Sequence, residues 1–503
     1  MTAIARSLAA ALVLVLLTCF GATSASALDG LERCRLGVTR ANVWAAVCVG
    51  RELSTSLRES VSKDGGIPES VDCEAKLSAR YRRLGRLAGP EIQACGATQA
   101  HATTLIGELR ETLDFVEDLS VGRFEVLASG LRSPRGLSCA PAGDDALVYV
   151  AEAGSGGPVE SESYIAADGR PAFLGTTGAV GRLDEDLRYE RVIDGLASSA
   201  AADASGGFLD ANGPTDVAFT EAGEMRIAMG LGSNADVRDG LISIGAEQLG
   251  TVLDDRGEIL ADLAAFERDR NVDGRQVPAG CGTGVFVDDL TSNPFRLRGG
   301  ASVQLVDAGA NAVLEIDAKG GIEVVAADFP DQLQTMPDLS FAFPGGQTAC
   351  PPDGPGLPPA GPLPAQSVPT SLSCPSDATD AGCLVGELTG LPFAQGSARV
   401  YDISTAAEEY PVVRGGFTTI VDLAHGADGD LFVLEYARQG LAGIFGIAPP
   451  LGGLSRVSGG ITQSLDGGRL TAPSGVAVCG EYVYVTDRTR TAGEGRLLRM
   501  RLD

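Results

Sequence analysis

A pattern of hydrophobic and polar positions recurs six times between Ser133 and the C-terminus. Each copy has a polar or proline-containing turn, a short apolar run, a gap, and a second apolar run that usually ends in a carboxylate. Short runs of this kind, bounded by turn residues, are typical of β-strands. The copies begin with SPRGLSC at Ser133, GPTDVAF at Gly213, SNPFRLR at Ser292, VPTSLSC at Val368, FTTIVDL at Phe417 and APSGVAV at Ala472.

This repetition predicts an all-β, six-bladed β-propeller over residues 121–503. Two short strands bury too little surface to be stable alone, so the copies must pack side by side as blades. The last copy supplies three strands and then the chain stops. Because residues 123–131 (RFEVLASGL) match the segments that precede other copies, we expect this strand to complete the last blade and close the ring.

The segment before the repeats has a different pattern. Apolar residues fall at helical spacing, most clearly at Leu105, Leu109, Leu113 and Val116, so residues 28–120 are predicted to form a small α-helical domain. Its expected role is packing or docking on a partner, because these helices carry no catalytic motif.

The first 27 residues have the features of a secretory signal peptide. Arg6 precedes an apolar run from Leu8 to Leu17, and Ala25-Ser26-Ala27 forms a small-residue cleavage site. We therefore expect a bacterial protein that is secreted or periplasmic. No other stretch approaches the roughly 20 apolar residues of a membrane helix, so no transmembrane segment is expected in the mature chain.

Removing the signal peptide leaves ten cysteines, an even number that suits disulfide bonds in an oxidising compartment. Cys139 and Cys479 occupy similar positions in the first and last copies, and a bond between them would lock the ring. Connectivity does not follow from spacing alone. The other candidates are Cys374 with Cys383 across a turn, Cys281 with Cys350 between insertions, and Cys34, Cys48, Cys73 and Cys95 within the helical domain.

The formal net charge of -27 argues against nucleic acid or an anionic lipid surface as a partner. Several of these acids end the second run of a copy, and repeat geometry should bring them to one face around the central axis. Clustered oxygens would suit calcium, the one cofactor that the sequence suggests. Alternatively, each acid accepts hydrogen bonds from turn amides within its own blade. The residues are Glu152, Asp307, Glu387, Glu435 and Asp487, with Met229-Gly230 at this point of the second copy.

Charged residues that follow the prolines of the first three copies should lie near the same face. These are Arg135, Asp216 and Arg296. If they neutralise the acids, the mouth of the propeller is a salt-bridged network with room for a polar ligand, and no metal is required.

One further segment suggests a cation. Asp269, Asn271 and Asp273 match the D-x-N-x-D-G opening of a calcium loop, but the twelfth position is Gly280 rather than Glu, so an Asx-rich turn is the alternative. The two histidines are His101 and His425, too few for a histidine-rich zinc site. No nucleophile elbow, phosphate loop or dinucleotide motif occurs.

Many motifs in the second part of the chain resemble the ScyD/ScyE family. They include GLRSPRGL, VYVAEAGSGGP, GPTDVAF, GLGSN, ADLAAFE, DAGANAVLEID, VPTSL, GELTGLPF and LFVLEYA, and together they cover residues 124–503. The family is named from gene clusters for scytonemin, a cyanobacterial sunscreen pigment, and its members have no settled activity. The resemblance implies a secreted, NHL-like six-bladed propeller, and it implies no catalytic residues.

These observations support three hypotheses. The first is an exported non-catalytic or accessory binding protein for a small molecule or an envelope partner. The second is a calcium-dependent hydrolase or lactonase, because other six-bladed propellers place a cation at the channel mouth. The third is a structural scaffold for protein interactions.

Overall fold

The computed structural model describes residues 124–140, 147–166, 170–202, 208–243, 245–278, 285–338, 358–375, 382–404, 410–445 and 448–502. The predicted signal peptide and helical domain lie outside these residues, as do Cys34, Cys48, Cys73, Cys95, Cys281, Cys350 and His101. The predictions about those segments therefore remain predictions.

The described chain is built almost entirely from short strands. The first half contains β1 (Phe124–Arg132), β2 (Pro134–Cys139), β3 (Val148–Glu152), β4 (Ser163–Ile165), β5 (Pro171–Leu183), β6 (Tyr189–Ala202), β7 (Phe208–Asn212), β8 (Pro214–Phe219), β9 (Met225–Met229), β10 (Thr251–Leu253), β11 (Ile259–Asp262), β12 (Gln276–Pro278), β13 (Phe286–Asp288), β14 (Pro294–Arg298) and β15 (Val303–Asp307). The second half contains β16 (Ala312–Ile316), β17 (Ile322–Ala326), β18 (Gln332–Met336), β19 (Gly361–Ala365), β20 (Pro369–Ser373), β21 (Leu384–Glu387), β22 (Ala398–Asp402), β23 (Val412–Phe417), β24 (Ile420–His425), β25 (Leu431–Glu435), β26 (Gly453–Ser458), β27 (Ile461–Ser464), β28 (Val476–Cys479), β29 (Tyr482–Asp487) and β30 (Ala492–Arg501).

Helices are short and lie in the connections. Among the residues described, they are α1 (Ala235–Asp239), α2 (Leu263–Arg270) and α3 (Leu441–Ile444), with one 3₁₀ turn at Ala246–Gln248. Within the described residues, no helix is long and apolar enough to cross a bilayer.

The strands form six antiparallel blades, which confirms the predicted six-bladed propeller. Four blades are simple four-stranded meanders, β8 to β11, β14 to β17, β20 to β23 and β24 to β27. The first blade is enlarged, because β4 and β7 extend the sheet formed by β2, β3, β5 and β6. The inner strands β2, β8, β14, β20, β24 and β28 each contact the next one, and β28 contacts β2.

The two ends of the propeller meet in one blade. Strand β1 pairs antiparallel with β30, from Phe124 opposite Met500 to Arg132 opposite Ala492, and completes the sheet of β28, β29 and β30. A disulfide between Cys139 and Cys479 joins the innermost strands of the first and sixth blades. Hydrogen bonding and a covalent bond therefore both close the ring.

Apolar cores lie between neighbouring blades. Leu305 and Leu314 of the third blade pack with Ala228 and Val252 of the second. All five residues of Leu431–Glu435 (β25) are buried, because each face of a blade is covered by its neighbour. The outermost strands are largely exposed, as at Ile461–Ser464 (β27).

The first residue of each of five inner strands lies opposite the last residue of the second strand. A bulge follows immediately, so equivalent positions in the five blades can be compared directly. The pairs are Pro134 with Glu152, Pro214 with Met229, Pro294 with Asp307, Pro369 with Glu387, and Ile420 with Glu435.

We expect the Cys139–Cys479 bond to stabilise the protein more than the Cys374–Cys383 bond does. The first links residues 340 positions apart and the second links residues 9 apart, and a longer closed loop removes more entropy from the unfolded chain. Replacing Cys139 and Cys479 by Ala should lower the free energy of unfolding in urea by about 2–4 kcal/mol. Replacing Cys374 and Cys383 serves as the matched control, and an equal or larger loss in that control would contradict the prediction.

Candidate functional site at the mouth of the channel

The carboxylates that end the second strands are buried and accept hydrogen bonds from their own blade or from the segments next to it. Glu152 has no exposed surface. Its Oε2 accepts hydrogen bonds from the backbone N–H of Arg132 at 2.6 Å and from Arg191 at 2.8 Å. Its Oε1 accepts from the Tyr189 hydroxyl at 2.9 Å. The Glu152 side chain thus links the end of β3 to the end of β1 in the sixth blade and to β6 in its own blade.

The other four carboxylates accept hydrogen bonds in a similar way. Asp307 accepts hydrogen bonds from Ser292 and from three backbone amides. Glu387 accepts hydrogen bonds from Gln332, Ser367, Arg399 and Tyr401. Glu435 accepts them from Thr418 and Arg438, and Asp487 accepts them from Thr471 and Arg496.

The structure therefore corrects the expectation that Glu152, Asp307, Glu387, Glu435 and Asp487 form an open ring at the channel mouth. The observed arrangement is nearer the second interpretation, in which each acid bonds to groups of its own blade and of the segments beside it. No group of three or more His, Cys, Asp and Glu side chains in the described part of the chain is arranged to hold a metal ion.

Three charged residues meet inside the channel. Asp216, Arg296 and Asp422 occupy equivalent positions, one residue beyond the bulge of their inner strands. Each is at most 5% exposed. The Nε atom of Arg296 lies 3.2 Å from Oδ1 of Asp422 across the channel. Asp216 and Asp422 also accept hydrogen bonds from the backbone N–H groups of Leu297 and Val476 in the next blade, each at 2.8 Å.

Arg296 fills the channel by bonding to several blades at once. Its Nη1 donates to the carbonyl of Thr215 in the second blade at 3.3 Å, and its Nη2 donates to the carbonyl of Ser474 in the sixth. With Asp422 in the fifth blade, one guanidinium joins four of the six blades. Two of the three charged residues that the sequence analysis expected near one face, Asp216 and Arg296, are thus neighbours, and we call Asp216, Arg296 and Asp422 the channel floor.

Burial governs the charge of the channel floor. It raises the pKa of Asp216 to about 7; nearby Arg296 lowers that pKa and Asp422 raises it further. Burial likewise raises the pKa of Asp422, against the lowering effect of Arg296. One guanidinium thus faces two carboxyl groups, and burial makes both of them easier to protonate than an exposed aspartate.

Above the channel floor, arginines converge on one carboxylate. Arg135 donates to the carbonyl of Ala211 at 2.8 Å. The adjoining residue, Asp210, is 2.8 Å from Arg170 and 3.3 Å from Arg490. Tyr436 is close enough to all four charged groups for them to affect its pKa. We call Arg135, Arg170, Asp210, Tyr436 and Arg490 the mouth cluster.

The electrostatics of the mouth cluster favour a negative ligand. Burial lowers the pKa of Arg135, because a guanidinium away from water is costly. Burial and the charge of Asp210 raise the pKa of Tyr436 to about 12, so its hydroxyl remains a hydrogen-bond donor at neutral pH. Among the described residues, no carboxylate lies within ion-pair distance of Arg135.

The predicted calcium loop has a different geometry from that expected. Asp269 is exposed and pairs with Arg268 at 3.0 Å. Asn271 ends α2 in a left-handed conformation, and Asp273 turns inward to accept a hydrogen bond from Asn311 at 2.7 Å. The structure therefore shows Asp269 on the surface and Asp273 buried, an arrangement that agrees with the alternative interpretation of an Asx-rich turn.

His425 ends the inner strand β24 at the opposite end from the mouth cluster. Its Nδ1 atom is 2.8 Å from the hydroxyl of Ser373, and burial lowers the pKa of the imidazole. The histidine thus links the inner strands of the fourth and fifth blades, which is a structural role.

Sequence reasoning missed five residues of the site. Asp422 could have been found by aligning the proline-free fifth copy with the second, because the two sequences then match Asp422 with Asp216. Arg170, Asp210, Tyr436 and Arg490 gave no such signal, because they come from a strand of the enlarged first blade and from three connections.

No protein-family model and no curated protein matches this chain. Among solved structures it is similar to a streptogramin B lyase, with 11% identity, a TM-score of 0.30, and coverage of 76% of this chain and 97% of the other. It is also similar to a gluconolactonase from Xanthomonas campestris, with 10% identity, a TM-score of 0.30, and coverage of 75% and 98%. A computationally designed protein, Ika8, matches with 12% identity, a TM-score of 0.29, and coverage of 75% and 98%. These values are too low to transfer an activity to this chain.

Breaking one of the carboxylate pairs should destabilise the propeller. Asp487 has no exposed side-chain surface and lies 2.6 Å from Arg496, so Arg496→Met would leave a buried carboxylate without its cation. We expect the free energy of unfolding in urea at pH 7.5 to fall by about 3 kcal/mol. The control is Arg501→Met on the same strand, whose partner Glu481 is exposed, and it should change stability by less than about 0.5 kcal/mol. Equal effects of the two substitutions would contradict this prediction.

The channel floor should make stability depend on pH. The folded pKa of Asp216 is about 7 and the unfolded value is about 3.9, so the folded state binds more protons between those values. Stability from this group is therefore present below pH 4 and is lost as the pH rises towards 7. In Asp216→Asn, the slope of unfolding free energy against pH in this window should become less negative, by up to about 1.4 kcal/mol per pH unit. An unchanged slope from urea titrations at pH 4 to 7 would show that Asp216 is not the titrating group.

Proposed function

We propose that this chain is a binding propeller that holds a small anionic molecule, a carboxylate or a phosphate ester, at the mouth of its channel. The observation that carries the proposal is Arg135, a partly buried guanidinium beside the channel that has no ion-pair partner among the described residues. Its described hydrogen bond goes to a backbone carbonyl. The protein as a whole is strongly acidic, so a site lined by arginines is unusual on its surface.

The chemistry of the mouth cluster suits such a ligand. Guanidinium groups bind carboxylates and phosphates through paired, parallel hydrogen bonds. Arg135 and Arg490 come from different blades and approach the same carboxylate, Asp210, or its neighbour Ala211. The Tyr436 hydroxyl adds a neutral donor, and Asp210 orients the arginines in the absence of ligand.

The channel floor closes the channel, so a ligand at the mouth cluster binds at one end of it. Arg296, Asp216 and Asp422 fill the axis and bond across it, so a ligand above them meets a closed, polar surface. A site of this form holds a molecule and does not pass it through the ring.

We further propose that the protein acts as an accessory binding protein outside the cytoplasm. The Cys139–Cys479 and Cys374–Cys383 disulfides fit an oxidising compartment, which agrees with the predicted signal peptide and with the resemblance to the ScyD/ScyE family. The partner is a small molecule presented in the cell envelope. The calcium-dependent hydrolase or lactonase stays a second hypothesis, and no residue of the mouth cluster specifically favours it.

The proposed function can be tested by titrating the full chain with citrate, inorganic phosphate and glucose 6-phosphate, with glucose as the uncharged comparison. We expect calorimetry to detect at least one of the anions and not glucose, with an affinity that falls as salt is added. Arg135→Gln should weaken that binding at least about tenfold, because it removes a charged, two-pronged donor.

Arg188→Gln is the matched control, since Arg188 is exposed and pairs only with the exposed Asp186 among the described residues. It should bind as the unaltered protein does. Failure of all three anions to bind, equal binding of glucose, or unchanged binding in Arg135→Gln would refute the proposal.

A further inference from the structure

A group of buried oxygen atoms lies between the end of α2 and the turn that joins β15 to β16. Three side-chain oxygens there are buried without a hydrogen-bond partner among the described residues: Oε1 of Glu267, Oδ1 of Asn271 and Oδ1 of Asn311. Buried polar atoms are nearly always bonded in folded proteins, so three such atoms in one region indicate a missing partner.

Hydrogen bonds hold the side chains of this region together. Oε2 of Glu267 accepts from the backbone N–H of Val272 at 3.1 Å, which fixes the carboxylate beside the Asn271–Asp273 segment. Nδ2 of Asn311 donates to Oδ2 of Asp273 at 2.7 Å, which brings the turn of the third blade to the same segment. Glu267 and Asn311, from different blades, are only 1% and 2% exposed.

The same bonds establish that the unpartnered atoms are acceptors. Because Nδ2 of Asn311 donates to Asp273, its other terminal atom must be the oxygen. Nδ2 of Asn271 similarly donates to the carbonyl of Arg275 at 3.4 Å. The region therefore presents carboxylate and amide oxygens, and it lacks the donors or cation that would satisfy them.

The charges of the neighbouring side chains also indicate that a cation is missing from this region. Glu267 is almost fully buried, and the charged groups that act on its carboxylate, Asp307, Asp273 and Asp289, are all acids. Arg275 lies 3.4 Å from Asp273 but is shared with Asp331. A buried carboxylate without a counter-charge is costly, and a single water would supply two donors and no charge.

We propose that Glu267, Asn271 and Asn311 bind a calcium ion through these three oxygens, with Asp273 beside them supplying further negative charge. Calcium accepts six to eight oxygen ligands from carboxylates, amides and water in flexible geometries, which fits a mixed set from a helix end and a turn. The ion would join the helical insertion of the second blade to the third blade. This site differs from the D-x-N-x-D-G loop in that Asp269 takes no part and the residue four positions before Asn271 does.

Thermal unfolding and calorimetry of the full chain, after treatment with a chelator, test the site. Adding calcium chloride at about 100 times its dissociation constant should raise the Tm of the unaltered protein by about 3–5 °C. Glu267→Gln keeps the shape of the side chain but removes its charge, so it should lose this response and bind calcium at least about tenfold more weakly. In chelator alone, Glu267→Gln should be at least as stable as the unaltered protein, because a buried uncompensated charge has been removed.

Two further variants distinguish this site from calcium binding elsewhere on the acidic surface. Asp269→Asn should respond to calcium as the unaltered protein does, since Asp269 is exposed and paired with Arg268. Asn311→Gly removes a ligand oxygen without backbone strain, because Asn311 has a positive φ of 48° that glycine adopts readily, and it should also lose the response. The proposal is overturned if calcium neither binds nor raises the Tm, if only magnesium does so, if Glu267→Gln retains the response, or if Asp269→Asn abolishes it.

Discussion

The guanidinium of Arg296 is the interaction on which the centre of this propeller depends. It lies on the axis, is almost fully buried, and bonds to groups from the second, fifth and sixth blades while extending from the third. A charge in this position is stable only because carboxylates and carbonyls surround it. Since Asp216 and Asp422 also bond to the backbone of the following blade, the same network sets how neighbouring blades meet.

The residue types at the innermost strand positions explain how the side chains of the channel floor fit together. The six equivalent positions of the inner strands hold Gly136, Asp216, Arg296, Ser371, Asp422 and Gly475. The two glycines leave room for the larger side chains: a Cβ at Gly136 would lie 2.0 Å from Oδ1 of Asp216, and one at Gly475 would lie 2.5 Å from the carbonyl oxygen of Arg135. Closing the ring brings these differing residues together, so the channel is asymmetric although the blades are repeats. The arginines of the mouth cluster come from the first and sixth blades, which are neighbours in the ring.

The carboxylates at the strand ends show that one recurring sequence pattern can predict two different roles, a shared binding site or a structural bond in each blade. Their recurrence was visible in the sequence, and so was the departure at Met229. What the sequence did not show was that their partners, such as Arg191 for Glu152 and Arg496 for Asp487, come from the same blade. Those arginines have no regular spacing from the acids, because connections of different lengths separate the strands. A repeated carboxylate therefore predicts a repeated structural bond as readily as a shared binding site.

The sequence by itself determined the number of blades and the inner strands, because both follow from local patterns that recur along the chain. It also offered Cys139 and Cys479 as a candidate pair, but only the structure shows the bond. Periodicity also placed Asp216 and Arg296 at equivalent points of their blades. Only the tertiary structure decided which charged groups face one another. Asp210 meets Arg490 across 280 residues of sequence, and Glu267 lies beside a turn of the next blade. Such contacts depend on the closure of the ring and on the paths of the insertions, and neither leaves a pattern in the order of the residues.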